Sequence, residues 1–388
     1  MSAVAGKRRE LFEQAPPSAL QHRAGLIKHD ELNVGRRAFL AVLIGWVPIV
    51  MLTVGAAVVQ GTEGITSLLW ETGIHARYLV SAPLLILAER ECAAQLTAIV
   101  DRFIEHSFVL EHDRPRLQSA IESTRGLLNS TAANIVVVAI AYLTVAAAVW
   151  SHPPDAIPVW HKTAGGYFSA AGWWHVLVSM PLLVALVLGW IWRLVLWARL
   201  LWRISRLDLQ LVASHPDHTA GLDFLGHSVR AFSFVAFALT AIAAGRSAHI
   251  VLEGGGLPTP QLFFNAGLLG VILILFTAPL TVFFPVLLRT WRQGVAEYGA
   301  LARDVGVAFE ERWLKDRTPA REGLERPDFS ATTDLYGVVS NVYAVRFIPV
   351  DLTSLISLVV AMLLPLAPVV LLAVPLDQIW AGIQKLLL

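Results

Sequence analysis

A chain of 388 residues could hold two soluble domains by length, yet 56% of it is hydrophobic and only 15% charged, with mean hydropathy +0.61. Soluble domains run to roughly 45–50% apolar and about 25% charged, so composition excludes that class and points to a polytopic membrane protein. The net charge of +1 offers no basic nucleic-acid surface, and the single cysteine, Cys92, excludes an internal disulfide and any multi-cysteine metal site.

Residues 1–37 are polar and hold seven basic side chains. A cleaved signal peptide has a short positive head and an apolar core of roughly 7–15 residues. Here the head is long and the run 38–59 is full length, so a cytoplasmic N-terminal segment leads into a retained first span. Apolar runs long enough for ~30 Å of hydrocarbon fall at 38–59, 70–89, 131–150, 174–193, 231–252, 264–288 and 353–374. The expected fold class is therefore all-α. It is a transmembrane helix bundle of about seven spans within 38–388, with helices extended into the cytoplasm.

Counted from the N-terminus, the odd-numbered segments outside the spans hold 25 of the 30 basic residues and the even-numbered ones two. The positive-inside rule then puts the N-terminus in the cytoplasm and the C-terminus outside. Few lysines and abundant alanine suit a GC-rich bacterial genome, which makes the expected location a bacterial inner membrane. Trp70, Trp150, Trp160, Trp173, Trp174 and Trp380 fall at outer edges, and Trp192, Trp197, Trp202 and Trp291 at inner ones, as interfacial rings should. Prolines 48, 83, 181, 279, 285, 365 and 368 lie inside spans, where neighbouring helices must satisfy the carbonyls they free.

The cytoplasmic segments 90–130, 194–230 and 289–352 read as helical extensions. Trp291, Val295, Tyr298, Ala302, Val305 and Phe309 step alternately by four and three, a heptad seam with the charges off it. Leu117, Ile121, Thr124 and Leu128 repeat the steps, as do Leu96, Val100 and Phe103. Such seams pack either on one another as a small bundle or on a second copy as a homo-oligomer. The stretch 316–327 is polar, broken by prolines, and reads as a linker.

Two constellations carry chemistry. The first comes from the outer ends of the second and fifth spans, which place Glu71, His75, Arg77, Arg246, His249 and Glu253 at similar depth. Arg246, His249 and Glu253 form one helical stripe at i, i+3, i+7. Charges below a membrane surface seek partners or a watery vestibule. The expectation is that Glu71 or Glu253 pairs with Arg246 and that His75 faces His249; the plainer alternative has the arginines reaching headgroups and the histidines neutral.

The second is the cytoplasmic run SHPDHTAGLDFLGH at 214–227, in which His215, His218, Asp223 and His227 could hold a divalent metal. Pro216, Gly221 and the aspartates suit a turn and helix cap, which is the favoured reading. This loop, His-Pro-Asp followed by Gly-Leu-x-Phe-Leu, resembles one in a set of bacterial multi-pass membrane proteins of unassigned activity. The resemblance covers the loop and the layout of spans and implies no activity.

A bundle that moves a small solute or ion through the outer cluster is the leading expectation. The alternative is a non-transporting sensor or assembly scaffold working through the cytoplasmic helices. No nucleophile elbow, zinc-protease motif or phosphate loop occurs, so no catalytic residue is assigned, and a lipid-modifying enzyme has only the His/Asp loop in its favour. No cofactor is expected beyond a metal at that loop, and the bilayer is the expected partner.

Overall fold

A computed structural model of the chain describes residues 34–128, 130–151, 157–163, 165–254, 256–315, 328–373 and 384. The segment before residue 34, the 316–327 linker and Trp380 lie outside them. Among the described residues there is no strand, only the isolated bridges Val109–Leu209 and Lys162–Phe168, and the fold is an all-α helix bundle.

In chain order the helices are α1 (Val34–Gly45), α2 (Val47–Gln60) and α3 (Glu63–Trp70). The rod α4 joins Thr72–His75, a π-helical turn Ala76–Ser81 and Ala82–Glu105. Then come α5 (Arg114–Leu128), α6 (Thr131–Ser151), α7 (Ala170–Ile204), α8 (Asp223–Gly254) and α9 (Thr259–Lys315). The helices α10 (Asp328–Tyr343) and α11 (Leu352–Ala373) complete the bundle. We call the end bearing the arginine-rich extensions inner and the opposite end outer.

Six helices among the described residues are long and apolar enough to cross a membrane: 34–58, α6, α7, α8, α9 and α11. The expected second span, in α4, is the one that falls short, because it carries His75, Arg77 and Glu89 in its apolar stretch. Burial explains how it tolerates them. Tyr78, Ser81, Ala82, Leu85, Ile86, Ala88, Glu89 and Cys92 are all buried in the bundle. Antiparallel α8 lies along it: the Thr72 hydroxyl donates to the Gly245 carbonyl (2.8 Å) at one end, and Ile99 and Arg102 meet His227 and Arg230 at the other. Gly245 is required at this crossing, since a Cβ there would collide with Ala76 Cβ.

Prolines shape the bundle interior. Pro48, Pro83 and Pro181 each open a new helical segment, and π-helical turns at Ala76–Ser81 and His175–Ser179 precede the last two. A proline removes one amide donor and crowds the carbonyl four residues back. The Ile44 carbonyl, four before Pro48, accepts from Trp174 Nε1 (3.0 Å), and the Leu177 carbonyl, four before Pro181, accepts from the Tyr142 hydroxyl (3.1 Å). Neighbouring helices thus replace the lost ladder bonds, as hydrocarbon surroundings demand.

At the inner end α4 and α9 run on past their apolar stretches and α5 precedes α6, so these segments are helical. Segment 194–230 departs from that expectation. Its helix stops at Ile204, and a looped connector follows, with positive φ at His218, Ala220 and Gly221. The α9 seam is covered by α10 of the same chain. Phe309 and Trp313 pack on Phe329 (4.8 and 5.1 Å between ring centroids), and the Tyr336 and Tyr343 hydroxyls approach Gly306 and Gly299.

Candidate functional site

The outer cluster divides into two groups. Glu71, His249 and Glu253 come together: His249 Nε2 lies 3.3 Å from Glu253 Oε1 and 3.9 Å from Glu71 Oε2. His249 Nδ1 faces the Trp70 carbonyl at 3.2 Å. A carbonyl only accepts, so Nδ1 carries the hydrogen, and a proton bound at Nε2 has two carboxylates to meet. Arg77 approaches from α4: its guanidinium and the Glu71 carboxylate both lie within 3.9 Å of where a Cβ on Gly73 would stand. Arg246 is exposed and forms no ion pair with Glu71 or Glu253.

His75 does not face His249. Its Nδ1 accepts from Trp46 Nε1 at 3.0 Å and its Nε2 meets the Leu68 carbonyl at 3.1 Å. An indole N–H only donates and a carbonyl only accepts, so the tautomer is fixed with hydrogen on Nε2. His75 ties α2, α3 and α4 together.

Deeper in the bundle lies a pair that sequence reading passed over. His161 Nε2 and His175 Nδ1 are 2.8 Å apart and both rings are buried. His175 opens the π-helical turn of α7, and His161 ends a short 3₁₀ turn, Val159–His161, in the loop before it. Ser169 folds that loop inward: its hydroxyl donates to the Trp160 carbonyl (2.8 Å) and caps α7 by accepting from the Gly172 amide (3.0 Å). Its amide donates to the His161 carbonyl (2.7 Å). Gly172 permits the contact, since a Cβ there would stand 2.7 Å from the His161 oxygen.

Aromatic rings enclose the pair. Trp160 packs 3.9 Å from His161 and 5.4 Å from His175, and Tyr78 meets His175 edge-on at 5.7 Å. Burial pushes the His161 imidazole down to about 4, and the Arg77 charge adds to the shift. Four buried polar atoms around the pair have no hydrogen-bond partner: His175 Nε2, Tyr78 Oη, Ser81 Oγ and Trp160 Nε1. Each such orphan costs about 1–3 kcal/mol unless something visits it. A Cβ at Gly45, at the α1–α2 break, would stand 3.0 Å from the Tyr78 ring, and the Gly45 carbonyl accepts from Ser179 (2.8 Å). The break and two of the three π-helical turns among the described residues therefore converge here, and such turns frequently mark functional sites. The only sequence signal was a tryptophan–histidine pair at 160–161 and again at 174–175, on residues distant in the chain.

A second unforeseen group sits at the inner end. Glu89 bridges two arginines, with Oε2 2.7 Å from Arg37 Nη1 and Oε1 2.8 Å from Arg193 Nη2. All three are buried, Arg193 stacks on Trp190 at 4.8 Å, and Trp190 Nε1 donates to the Leu85 carbonyl (2.9 Å). Two guanidiniums share one carboxylate, so the group holds one uncompensated positive charge.

In the inner connector, Asp217 organises the chain. Its Oδ1 accepts from the amides of Thr219 (2.8 Å) and Gly221 (3.1 Å), and Oδ2 from that of Asp223 (3.2 Å). Desolvation raises the Asp217 carboxyl, but these amides and His215, 2.9 Å away, outweigh it and hold the group below the usual range. Arg346 locks the turn from outside by donating to the Asp217 carbonyl (3.0 Å) and to Asp223 Oδ1 (3.3 Å). His227 is exposed. His215, His218, Asp223 and His227 do not gather: among the described residues no three His, Cys, Asp or Glu side chains are grouped to hold an ion. Asp217, Gly221 and Arg346 serve this segment as turn chemistry.

No protein-family model, curated protein or solved structure matches this chain.

Proposed function

We propose that this integral membrane protein moves a small ion or solute across a bacterial inner membrane, with its N-terminus cytoplasmic and its C-terminus periplasmic. The alternation of basic segments supports that orientation. The observation that carries the reading is the set of orphaned polar atoms at His161–His175 and its neighbours, taken with the Glu71–His249–Glu253 cluster. Open donors and acceptors beside two facing imidazoles suit a species that comes and goes. The acidic outer group collects a proton, Arg77 sets the potential at the passage inward, and the histidine pair exchanges a proton between its facing nitrogens.

The test is flux in proteoliposomes under an imposed pH gradient. Glu71→Gln and His175→Phe should each slow transport roughly tenfold, about 1.4 kcal/mol of barrier, while the protein stays folded. Unaltered flux in both variants sinks the reading.

A second reading, a scaffold or sensor acting through the inner helices, has its own support. The α9–α10 hairpin leaves Leu314, Phe329, Tyr336 and Tyr343 exposed beyond the spans. It expects Val295→Asp or Tyr298→Asp to abolish function with the outer cluster intact, and a second copy would dock on those exposed residues.

A further inference from the structure

Where α7 and α9 leave the apolar layer side by side, they enclose a cleft of about 950 Å3. Both helices run from the outer to the inner end, and α7 packs on the 3₁₀ turn Ala278–Phe283 of α9. The two walls can therefore be read in the same direction.

Along α9 the lining changes from Val282, Pro285 and Val286 to Arg289, and then to Glu297. Eight residues separate Arg289 from Glu297, about 12 Å of helix at ~1.5 Å per residue. The facing wall repeats that order: Trp202, then Arg206, then Asp208. Arg206 lies over the Trp202 ring at 5.2 Å, the pairing that anchors a helix at the headgroup layer. Each wall thus offers, in chain order, apolar side chains, then a cation, then an anion.

These charges are not consumed by one another. Neither Arg206 nor Arg289 forms an ion pair among the described residues, and the four charged groups stand exposed. Asp208 has a weak partner in His112 Nε2 at 3.9 Å, and Glu297 accepts from Gln293 at 2.9 Å while keeping its charge.

We propose that the cleft binds a phospholipid whose headgroup carries a phosphate and a terminal primary ammonium, such as phosphatidylethanolamine. The acyl chains lie along Val282 and Val286, the phosphate sits between Arg206 and Arg289, and the ammonium reaches Asp208 and Glu297. A purely anionic headgroup would satisfy the guanidiniums and meet two carboxylates with nothing to offer them. A trimethylated ammonium carries charge but no N–H donors for those carboxylates.

Thermal unfolding of the full chain in detergent, with each lipid added in turn, tests this. Phosphatidylethanolamine should raise the midpoint roughly 4 °C or more above phosphatidylglycerol or phosphatidylcholine. In Asp208→Asn/Glu297→Gln that preference over phosphatidylglycerol should vanish, and in Arg206→Gln/Arg289→Gln all lipid stabilisation at this site should be lost. All four side chains are exposed, so the substitutions leave the core untouched; lipid retention by native mass spectrometry gives a second readout. Equal shifts with the three lipids, or a preference that survives loss of both carboxylates, overturn the proposal. An equal shift with soluble glycerophosphoethanolamine overturns its lipid half and leaves a small-molecule site.

Discussion

At the outer end, His161 and His175 share one short contact, and four polar atoms around them have no partner. At the inner end, Arg37, Glu89 and Arg193 are as deeply buried and the Nε of each arginine also lacks a hydrogen-bond partner, but both Glu89 oxygens meet a guanidinium. The two regions show two ways of placing polar chemistry inside a bundle. Neutral rings can be left short of partners at a tolerable cost and stay open to a visitor. Full charges cannot, because an isolated ion in low dielectric costs far more than an unmatched hydrogen bond. The first arrangement suits traffic; the second suits a fixed joint between α1, α4 and α7.

The sharpest way to break this contrast is Glu89→Gln. It should destabilise the protein by ~3–5 kcal/mol, read from unfolding in detergent, because two buried guanidiniums lose their counter-charge. Replacing all three residues by leucine should recover most of that loss; if it does not, the triad does more than join helices. Gly172→Ala should cost ~1–3 kcal/mol by pushing the His161 carbonyl off α7, and should slow flux along with it.

A pH profile separates the regions again. His161 is held down at about 4 against an ordinary 6.5, so the unfolded chain binds its proton first. The stability this group contributes is complete above pH 6.5 and is lost as pH falls from 6.5 towards about 4. His161→Gln should flatten that segment of a stability-versus-pH curve. A smaller effect belongs to the inner connector, where Asp217→Asn should cost ~1–2 kcal/mol near neutrality. The difference from the parent should shrink in acid, since a lowered carboxyl loses its advantage as it protonates. An unchanged gap at low pH would assign the turn to Arg346 instead.

The bundle itself was legible because hydrocarbon imposes strong one-dimensional rules. Apolar length, basic-residue alternation and tryptophan edges are properties of the chain read in order. The freed carbonyls behind Pro48 and Pro181 were foreseeable as a need, but that Trp174 and Tyr142 would meet them was not. The α9 seam was visible, whereas its cover was hidden in α10, which lacks a strong period of its own. The candidate site was half legible. Glu71, His249 and Glu253 converge because they lie at the same end of two antiparallel helices. His75 and Arg246 turn elsewhere, since depth does not determine which neighbour a helix face meets.

By itself, then, the sequence determined that this chain is a helical membrane bundle, where its ionisable groups fall along each helix, and which loop is built from turn residues. Only tertiary packing decided which of those groups touch. The His161–His175 contact needs a loop to fold back under Ser169, and Glu89 needs three helices from remote parts of the chain. Position along a span follows from a residue's own free energy of transfer into lipid. Lateral pairing depends on the shapes and charges of whatever helix arrives alongside, which no single segment encodes.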